Sequence, residues 1–250
     1  MIRTMETLCF AALIFAITFA FTPLALAYDL SKYYPLNEGD SWEYLTSGIG
    51  YVEGGADKAE FSDMIEVDKI ESKESISGKR TMVKVSGALE EKECLAVDSE
   101  GLKLYKLIDG PGGYDIFTPP FMQLANLAVG ESKTFLSNAI GYGDRSSEGA
   151  RLNTNTITLE SVERVEVPAG LFDDCLKFTS TGERAYADGN YENIESTVWL
   201  ALGVGVVKAD YIYIEHDFSS GEDSTTTNKR NLVSAKVNGQ QIGTPKESQE

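Results

Sequence analysis

The sequence is 250 residues long, and its 39 acidic and 22 basic side chains give a formal net charge of −17. A surface of that sign repels phosphate backbones, which excludes nucleic-acid binding and disfavours anionic membrane surfaces. A chain of this length is able to bury a full hydrophobic core, and all-β domains of such a size are common.

The first 27 residues predict an export signal. Arg3 supplies a positive start, residues 8–24 are almost wholly apolar, and Ala25 and Ala27 are the small residues that a signal peptidase requires. The apolar run is shorter than the roughly 20 residues of a membrane span, so we expect no integral span after processing. A retained N-terminal anchor is the alternative. The mature chain is expected to begin at Tyr28 and to be periplasmic or secreted from a bacterium.

After the signal, the hydrophobic pattern is that of β-strands. Short alternating runs rich in Val, Ile, Thr, Tyr and Phe are separated by glycine-containing turns, which is typical of consecutive antiparallel hairpins. The runs are 41–45, 64–71, 80–87, 94–98, 102–108, 156–167, 175–186, 191–200, 204–217 and 230–237. They predict a mainly β fold with a single antiparallel, strongly curved sheet of about ten strands, an open or half barrel.

One segment favours a helix. Residues 119–127 place three apolar side chains on one helical face, so we expect a short helix or lid there. No linker divides the mature chain, which predicts one β domain over residues 28–237. The polar residues 238–250 are expected to be a disordered tail.

A short motif occurs twice. Residues 36–42 read Leu-Asn-Glu-Gly-Asp-Ser-Trp, and residues 127–132 read Leu-Ala-Val-Gly-Glu-Ser, with Phe135 slightly later. In both, a Gly-acid-Ser turn leads into an aromatic strand residue. The motif indicates two related β-meander halves in one curved sheet, and the alternative is chance reuse of a common turn.

Two cysteines, Cys94 and Cys175, remain after processing. In an oxidising compartment an even pair favours one disulfide, and both cysteines enter an apolar alternation in a similar local context, which suits two neighbouring strands. The alternative is two buried free thiols, since a sequence does not show whether the Cα atoms approach within about 7 Å. The absence of a Cys-x-x-Cys spacing argues against a redox-active pair.

The sequence carries no recognisable catalytic or metal-binding motif. His216 is the only histidine, and a lone histidine near a strand end is expected to be structural. No nucleophile elbow, zinc-ligand set, calcium loop or phosphate-binding glycine loop is present. Adjacent acids such as Asp173-Asp174 are expected to be charged turns, because glycosidase chemistry needs two carboxyl groups facing each other across a cleft. We therefore predict a protein without enzymatic activity, cofactor or bound metal.

An aromatic segment follows the sequence Gly-Pro-Gly-Gly at residues 110–113, with seven apolar side chains in the next nine residues. A loop is normally polar unless it covers something, so we interpret the segment as a lid that lines a cavity for an apolar ligand. The residues predicted to bind that ligand are Tyr114, Phe117, Phe121, Met122 and, from the first strand, Trp42. The alternative is a segment that closes the protein's own core.

Three stretches together resemble a bacterial family of exported domains labelled TapB-like. They are Tyr34-Pro35-Leu36 with Gly39 and Trp42, then Val167-Pro168-Ala169-Gly170 with Phe172 and Cys175, then Trp199-Leu200-Ala201 with Gly203-Val204-Gly205-Val206-Val207-Lys208. The resemblance covers residues 34–208. It implies an open, half-barrel β-sheet of the bacterial envelope, similar to lipoprotein carriers, and it carries over no catalytic residue.

Export, a curved β-sheet and an aromatic insert together predict a non-enzymatic envelope protein that binds or carries an apolar group, such as a lipid or an acyl chain. The alternative is an envelope protein–protein interaction module with a solid core, which presents a sheet edge or its acidic face to a partner.

Overall fold

The computed structural model describes residues 27–52, 58–87, 91–108, 112–144, 150–186, 189–217 and 221–245. Residues 1–26 of the predicted export signal and residues 246–250 of the predicted tail lie outside the described residues. In the described part of the chain a 3-10 turn, η1, spans Leu30–Lys32, and the rest is built from strands. The strands are β1 Ser41–Val52, β2 Lys58–Ile76, β3 Lys79–Ser86, β4 Glu91–Val97, β5 Gly101–Ile108, β6 Gly113–Ala125, β7 Ser132–Gly143, β8 Ala150–Val167, β9 Gly170–Ala185, β10 Tyr191–Ala201, β11 Gly205–Asp217, β12 Glu222–Val237 and β13 Gln240–Gly243. None of the described residues form a helix that is long and apolar enough to cross a membrane.

The strands close into a barrel. Each strand pairs antiparallel with the next along the chain, and β1 also pairs with β12 along its whole length, from Ser41 opposite Lys236 to Val52 opposite Ser224. Strands β1 to β12 therefore form a closed ring, and β13 pairs with the end of β12. The predicted antiparallel, mainly β fold is confirmed. The predicted open or half barrel is wrong, because the two edge strands satisfy each other's backbone hydrogen bonds instead of remaining free.

The segment predicted to be a helix or lid is part of the barrel wall. Residues 113–125 form β6, which pairs with β5 and, from Gly113 to Thr118, with β7. Pro119 and Pro120 lack the N–H groups that would continue the ladder to β7. The register between β5 and β6 shifts twice, so β6 buries side chains at uneven intervals. Those intervals produced the helix-like spacing of apolar residues.

The end of the barrel that carries the turns at residues 77–78, 98–100, 126–131, 168–169, 202–204 and 238–239 is called the base below. The turn at 238–239 and strand β13 form the first part of the segment that was predicted to be a disordered tail. Two apolar clusters fill the barrel toward the base. The first includes Leu30, Phe117 and Phe178, and the second includes Trp42 and Leu232.

An N-terminal plug, residues 28–36, covers part of the base. The side chain of Leu30 is fully buried in the first cluster. The backbone N–H of Leu30 donates to Oδ1 of Asn126 at 2.9 Å, and the N–H of Gly203 donates to the carbonyl of Lys32 at 2.8 Å. The plug is therefore fastened to two separate turns of the base.

The first copy of the repeated motif forms a turn that is tied to the neighbouring strand. The N–H of Asp40 donates to the carbonyl of Asn37 at 3.0 Å, and a carboxylate oxygen of Asp40 accepts from the N–H of Asn37 at 3.0 Å. The N–H of Gly39 donates to the carbonyl of Ile70, and the N–H of Ile70 donates to the carbonyl of Asp40, both at 2.9 Å.

The second copy makes the same four hydrogen bonds. The N–H of Glu131 donates to the carbonyl of Ala128 at 3.0 Å, and a carboxylate oxygen of Glu131 accepts from the N–H of Ala128 at 2.9 Å. The N–H of Gly130 donates to the carbonyl of Leu159 at 2.7 Å, and the N–H of Leu159 donates to the carbonyl of Glu131 at 3.1 Å. Both glycines have positive φ, +92° for Gly39 and +81° for Gly130.

This equivalence continues along the strands. The sequence of β1, SWEYLTSGIGYV, matches that of β7, SKTFLSNAIGYG, at five identical positions. The register between β2 and β3 shifts after Ile70, and the register between β8 and β9 shifts after the equivalent Leu159. A second pair of shifts is also equivalent: it lies before Leu95 in the pairing of β4 with β5 and before Leu200 in the pairing of β10 with β11. Since β7 follows β1 by six strands, the barrel consists of two related halves, β1–β6 and β7–β12, in agreement with the interpretation of the repeated motif.

Candidate functional site

The five residues predicted to bind an apolar ligand do not form one surface. Phe117 and Met122 are buried within the first core cluster, and Phe121 packs against it. Trp42 is buried in the second cluster, where its indole N–H donates to the carbonyl of Val204 at 2.6 Å. These four side chains fill the protein's own core.

Tyr114, the fifth of these residues, lies apart from both clusters. Its ring stacks on the ring of Tyr142, with the two centroids 5.1 Å apart. Tyr142 belongs to an outer apolar stripe on β7 and β8, defined here as Leu136, Ile140, Tyr142 and Leu152, in which every side chain is exposed and Leu136 is 59% exposed. The stripe is a feature of the barrel exterior, not of a ligand cavity.

The two cysteines hold free, buried thiols, so the predicted disulfide is not formed. Cys94 lies on β4 and Cys175 on β9, with four strands between them. Five strand spacings amount to roughly 24 Å along the wall, against the limit of about 7 Å between Cα atoms for a disulfide. Burial raises the pKa of Cys94 to about 12 and that of Cys175 to about 11, which leaves both as thiols at neutral pH.

His216 is held on both sides of its ring, as expected for a structural histidine. Its Nδ1 lies 2.8 Å from Oδ1 of Asp223, and its Nε2 lies 3.1 Å from Nδ2 of Asn193. The ring also stacks on Tyr191 at 4.0 Å between centroids. Both ring nitrogens are thus occupied by neighbouring side chains. Among the residues that the structure describes, no three His, Cys, Asp or Glu side chains are grouped to hold a metal ion.

Farther from the base, the inner wall carries a charged triad, Asp68, Lys84 and Glu93, on adjacent strands. Lys84 forms ion pairs with Glu93 and with Asp68, whose Oδ2 is 3.8 Å from Nζ. Arg230 on β12 donates from Nη2 to Oδ1 of Asp68 at 2.8 Å. Burial by itself would raise the pKa of Asp68, but Lys84 and Arg230 lower it overall. Burial would likewise lower the pKa of Lys84, but the facing acids and Tyr34 raise it well above its usual value.

The other half of the barrel has an apolar triad at the equivalent positions, which are Ile157, Phe178 and Val198. Each triad has one residue on each of three adjacent strands. The middle residue is Lys84 in the first half, where it lies opposite Ile70, and Phe178 in the second half, where it lies opposite Leu159. The architecture therefore accepts apolar side chains where the first half has charges. Because burying charges costs desolvation energy, the charged triad is a property of the first half and not a requirement of the fold.

A groove of about 860 Å³ lies at the base between the N-terminal plug and strands β2 to β4. It is called the basal groove here, and its volume is within the range of about 300–1,000 Å³ that small-molecule sites occupy. Its floor is apolar and is formed by Tyr34, Pro35, Leu36, Met82, Leu95, Ala96 and Val97. Leu95 is fully buried and Met82 is 9% exposed, so the floor is continuous with the core clusters.

Basic side chains dominate the edge of the basal groove. Lys32, Lys73, Lys79 and Arg80 line it with a single acid, Glu38, although acids outnumber bases by 39 to 22 in the whole chain. Nζ of Lys73 lies 3.5 Å from Oε2 of Glu38, and both of these side chains are exposed. An exposed pair of this kind contributes little to stability, about 0–1 kcal/mol. The groove is therefore an apolar surface with a positive edge.

A second cavity of about 550 Å³ also borders the plug. It is lined by Tyr28, Tyr33 and Lys32 of the plug region and by Val129 and Leu202 from two turns of the base. Leu202 is 62% exposed and Val129 is 49% exposed. The base thus presents apolar side chains on more than one side of the plug.

No pattern in the sequence predicted the basal groove. Its basic residues come from the plug and from the hairpin of β2 and β3, which are distant in sequence from the plug and contact it only in the folded chain. The sequence signals that mark this place are Tyr34-Pro35-Leu36 and Gly203, from the first and third stretches of the TapB-like resemblance, and Asn37 and Glu38 from the repeated motif, all of which line the groove.

Comparison with known proteins does not assign the chain to a family. No family model and no curated protein matches the sequence, so the TapB-like resemblance stays a prediction. Two crystal structures resemble the fold over 80% of this chain at 13% identity. One is a candidate lipoprotein from Parabacteroides distasonis, with a TM-score of 0.36 and 97% of that chain covered. The other is a candidate exported protein with a YmcC-like fold from Bacteroides fragilis, with a TM-score of 0.33 and 98% covered. Neither likeness is close enough to transfer a function.

Proposed function

We propose that this chain is an exported, non-enzymatic protein of the bacterial envelope, periplasmic or secreted, that binds the acyl chain of an amphiphile in the basal groove. The observation that carries the proposal is the groove itself, which combines a volume of about 860 Å³ with an apolar floor. Export rests on the N-terminal sequence, with its short apolar run and its small residues at Ala25 and Ala27.

An acyl chain gains free energy on such a floor because it removes apolar surface from water. Each buried methylene contributes about 0.8 kcal/mol, and the side chain of Met82 adapts to irregular ligand shapes. Leu36 is half-buried and packs against both core clusters, so the floor does not need to rearrange to become apolar. The groove is thus prepared for a chain-like apolar ligand.

The barrel interior supports the proposal less than the base does. Core clusters with Phe117 and Phe178 fill it toward the base, and the charged triad lines the wall beyond them. A ligand inside the barrel would have to displace packed side chains or leave buried charges without partners. We therefore place the ligand at the base and not on the concave side of the sheet.

The test replaces Met82 with Gln, which keeps the length of the side chain and puts a polar amide on the floor. Binding of a fluorescent long-chain acyl probe is measured by titration, and thermal unfolding checks that the variant is folded. Burying the amide without a partner costs about 1–3 kcal/mol, so we expect the Kd to rise by about fivefold or more. The matched control is Leu136→Gln on the outer apolar stripe, which should leave the Kd unchanged. Equal effects of the two substitutions, or no probe binding by the wild-type protein, would contradict the proposal.

The outer apolar stripe favours a second candidate function, contact with another envelope protein. The exposed side chains of Ile140 and Tyr142 are neighbours on the outer face of β7, and Leu136 lies on the same face beyond Asn138. Apolar patches on a surface mark interaction sites. Closure of β1 onto β12 pairs the two edges that an open sheet would offer to a partner strand. A cross-linked partner that is present with the wild-type protein and lost with Leu136→Asp would support this function, and an unchanged cross-linking pattern would count against it.

A further inference from the structure

We infer that the basal groove selects amphiphiles whose headgroup is an anion, a carboxylate or a phosphate. This inference rests on the proposed function and adds the chemistry of the headgroup to it. The observation behind it is the position of two cations, Lys73 on the neighbouring strand and Arg80 on the same strand, next to Met82 on the apolar floor.

The ladder between β2 and β3 places these side chains on one face of the sheet. Lys73 lies directly opposite Met82, and cross-strand partners project to the same face. Arg80 precedes Met82 by two residues on β3, and residues two apart on a strand also share a face. A headgroup bound between the two cations would therefore leave its acyl chain lying on Met82 and the floor beyond it.

Lys32 pairs with Asp29 at 4.0 Å, and the other three cations at this edge are available to a ligand. Within the described ranges, neither Lys79 nor Arg80 forms an ion pair, and both are exposed. Lys79 helps to lower the pKa of Asp98 through its charge. Asp98 already has an ion-pair partner, because its Oδ2 lies 3.0 Å from Nζ of Lys103. Among the described residues, the ion-pair partner of Lys73 is Glu38, in a pair that is exposed on both sides.

The charge balance of the groove opposes that of the chain. Of the residues that the structure describes, four basic ones and one acidic one line the groove, in a protein with a net charge of −17. An uncharged apolar ligand would need no such edge. Carboxylates and phosphates are the anions that a guanidinium binds in a bidentate manner, so Arg80 suits either headgroup.

The experiment compares three ligands with the same alkyl chain: dodecanoate, dodecyl phosphate and dodecanol. Their Kd values are measured by displacement of the fluorescent acyl probe from the wild-type protein, from Arg80→Gln and from Lys229→Gln. Lys229 is an exposed lysine of β12 that does not line the groove, so its substitution makes the same change of charge elsewhere.

At least one of the two anions is expected to bind about fivefold more tightly than dodecanol, and this advantage should disappear in Arg80→Gln and persist in Lys229→Gln. Preference for dodecanoate over dodecyl phosphate, or the reverse, identifies the headgroup. If dodecanol binds as tightly as both anions, or if both variants lose the advantage equally, the inference is overturned while acyl binding stands. If none of the three ligands binds, the proposed function fails as well.

Discussion

Lys84 is the residue whose replacement tests most sharply how the barrel tolerates charge on its inner wall. Its side chain is 13% exposed, and those of its partners Asp68 and Glu93 are 6% and 11% exposed. Replacing Lys84 with Met leaves Asp68 paired with Arg230. Glu93 loses the positive charge of Lys84 and keeps the neutral amide of Gln123, whose Nε2 donates to Oε1 of Glu93 at 2.6 Å. Removing one member of a buried pair costs about 3–5 kcal/mol, and the surviving contacts place the expected loss near the lower value.

The assay is urea unfolding of the mature chain followed by circular dichroism, from which the free energy of unfolding is obtained by linear extrapolation. For a chain of this size, a loss of about 3 kcal/mol corresponds to a fall in Tm of roughly 6–12 °C. The matched variant is Lys84→Met combined with Glu93→Leu. Because it removes both charges, we expect it to recover stability to within about 1 kcal/mol of the wild type.

The second half of the barrel provides the reason for that expectation, since it holds Phe178 and Val198 at the positions of Lys84 and Glu93. A Lys84→Met protein as stable as the wild type would show that the triad is not a coupled buried unit. A double variant less stable than the single one would show that the two halves are not interchangeable at these positions. Either result would refute the reasoning.

Three further outcomes are expected. The free energy of unfolding that Asp68→Asn loses relative to the wild type should be constant between about pH 5 and 8 and should shrink below about pH 4. The reason is that the folded state lowers the pKa of Asp68, whose contribution disappears once the carboxyl is protonated. A difference between the two proteins that stays unchanged down to about pH 2 would contradict this. Cys94 and Cys175 should resist a thiol reagent at pH 8 in the folded protein and react completely in denaturant, and mass spectrometry should find no loss of two hydrogens. Gly39→Ala and Gly130→Ala should each lower the free energy of unfolding by about 1–2 kcal/mol, since an added Cβ meets no atom within 4 Å and only the positive φ is penalised. A difference between the two losses of more than about 1 kcal/mol would argue against equivalent turns.

Much of the local structure could be read from the sequence, because strand formation depends on alternation and turn residues that are close together in the chain. The run 102–108 corresponds to β5 at Gly101–Ile108, and the turn containing Gly39 leads into β1 as expected. Strand β7 was missed because its small and polar residues, such as Ser137 and Asn138, interrupt the alternation of strong strand formers. Its repeat relationship to β1 was a signal that could have found it.

The sequence by itself determined the strand character and the antiparallel hairpins, since each depends on residues a few positions apart. The repeated motif indicated related halves, but the matching registers of the two halves decided against chance reuse of a turn. Closure of the barrel depends on the pairing of Ser41–Val52 with a strand almost two hundred residues later, and no local pattern specifies that pairing. The same limit applies to the cysteines, whose strands belong to different halves of the ring. It applies also to the basal groove, where Lys73, Arg80 and the plug meet only after the β2–β3 hairpin packs beside residues 31–38. Only the tertiary structure could decide which distant side chains share a surface, because long-range contacts form through packing of the whole chain.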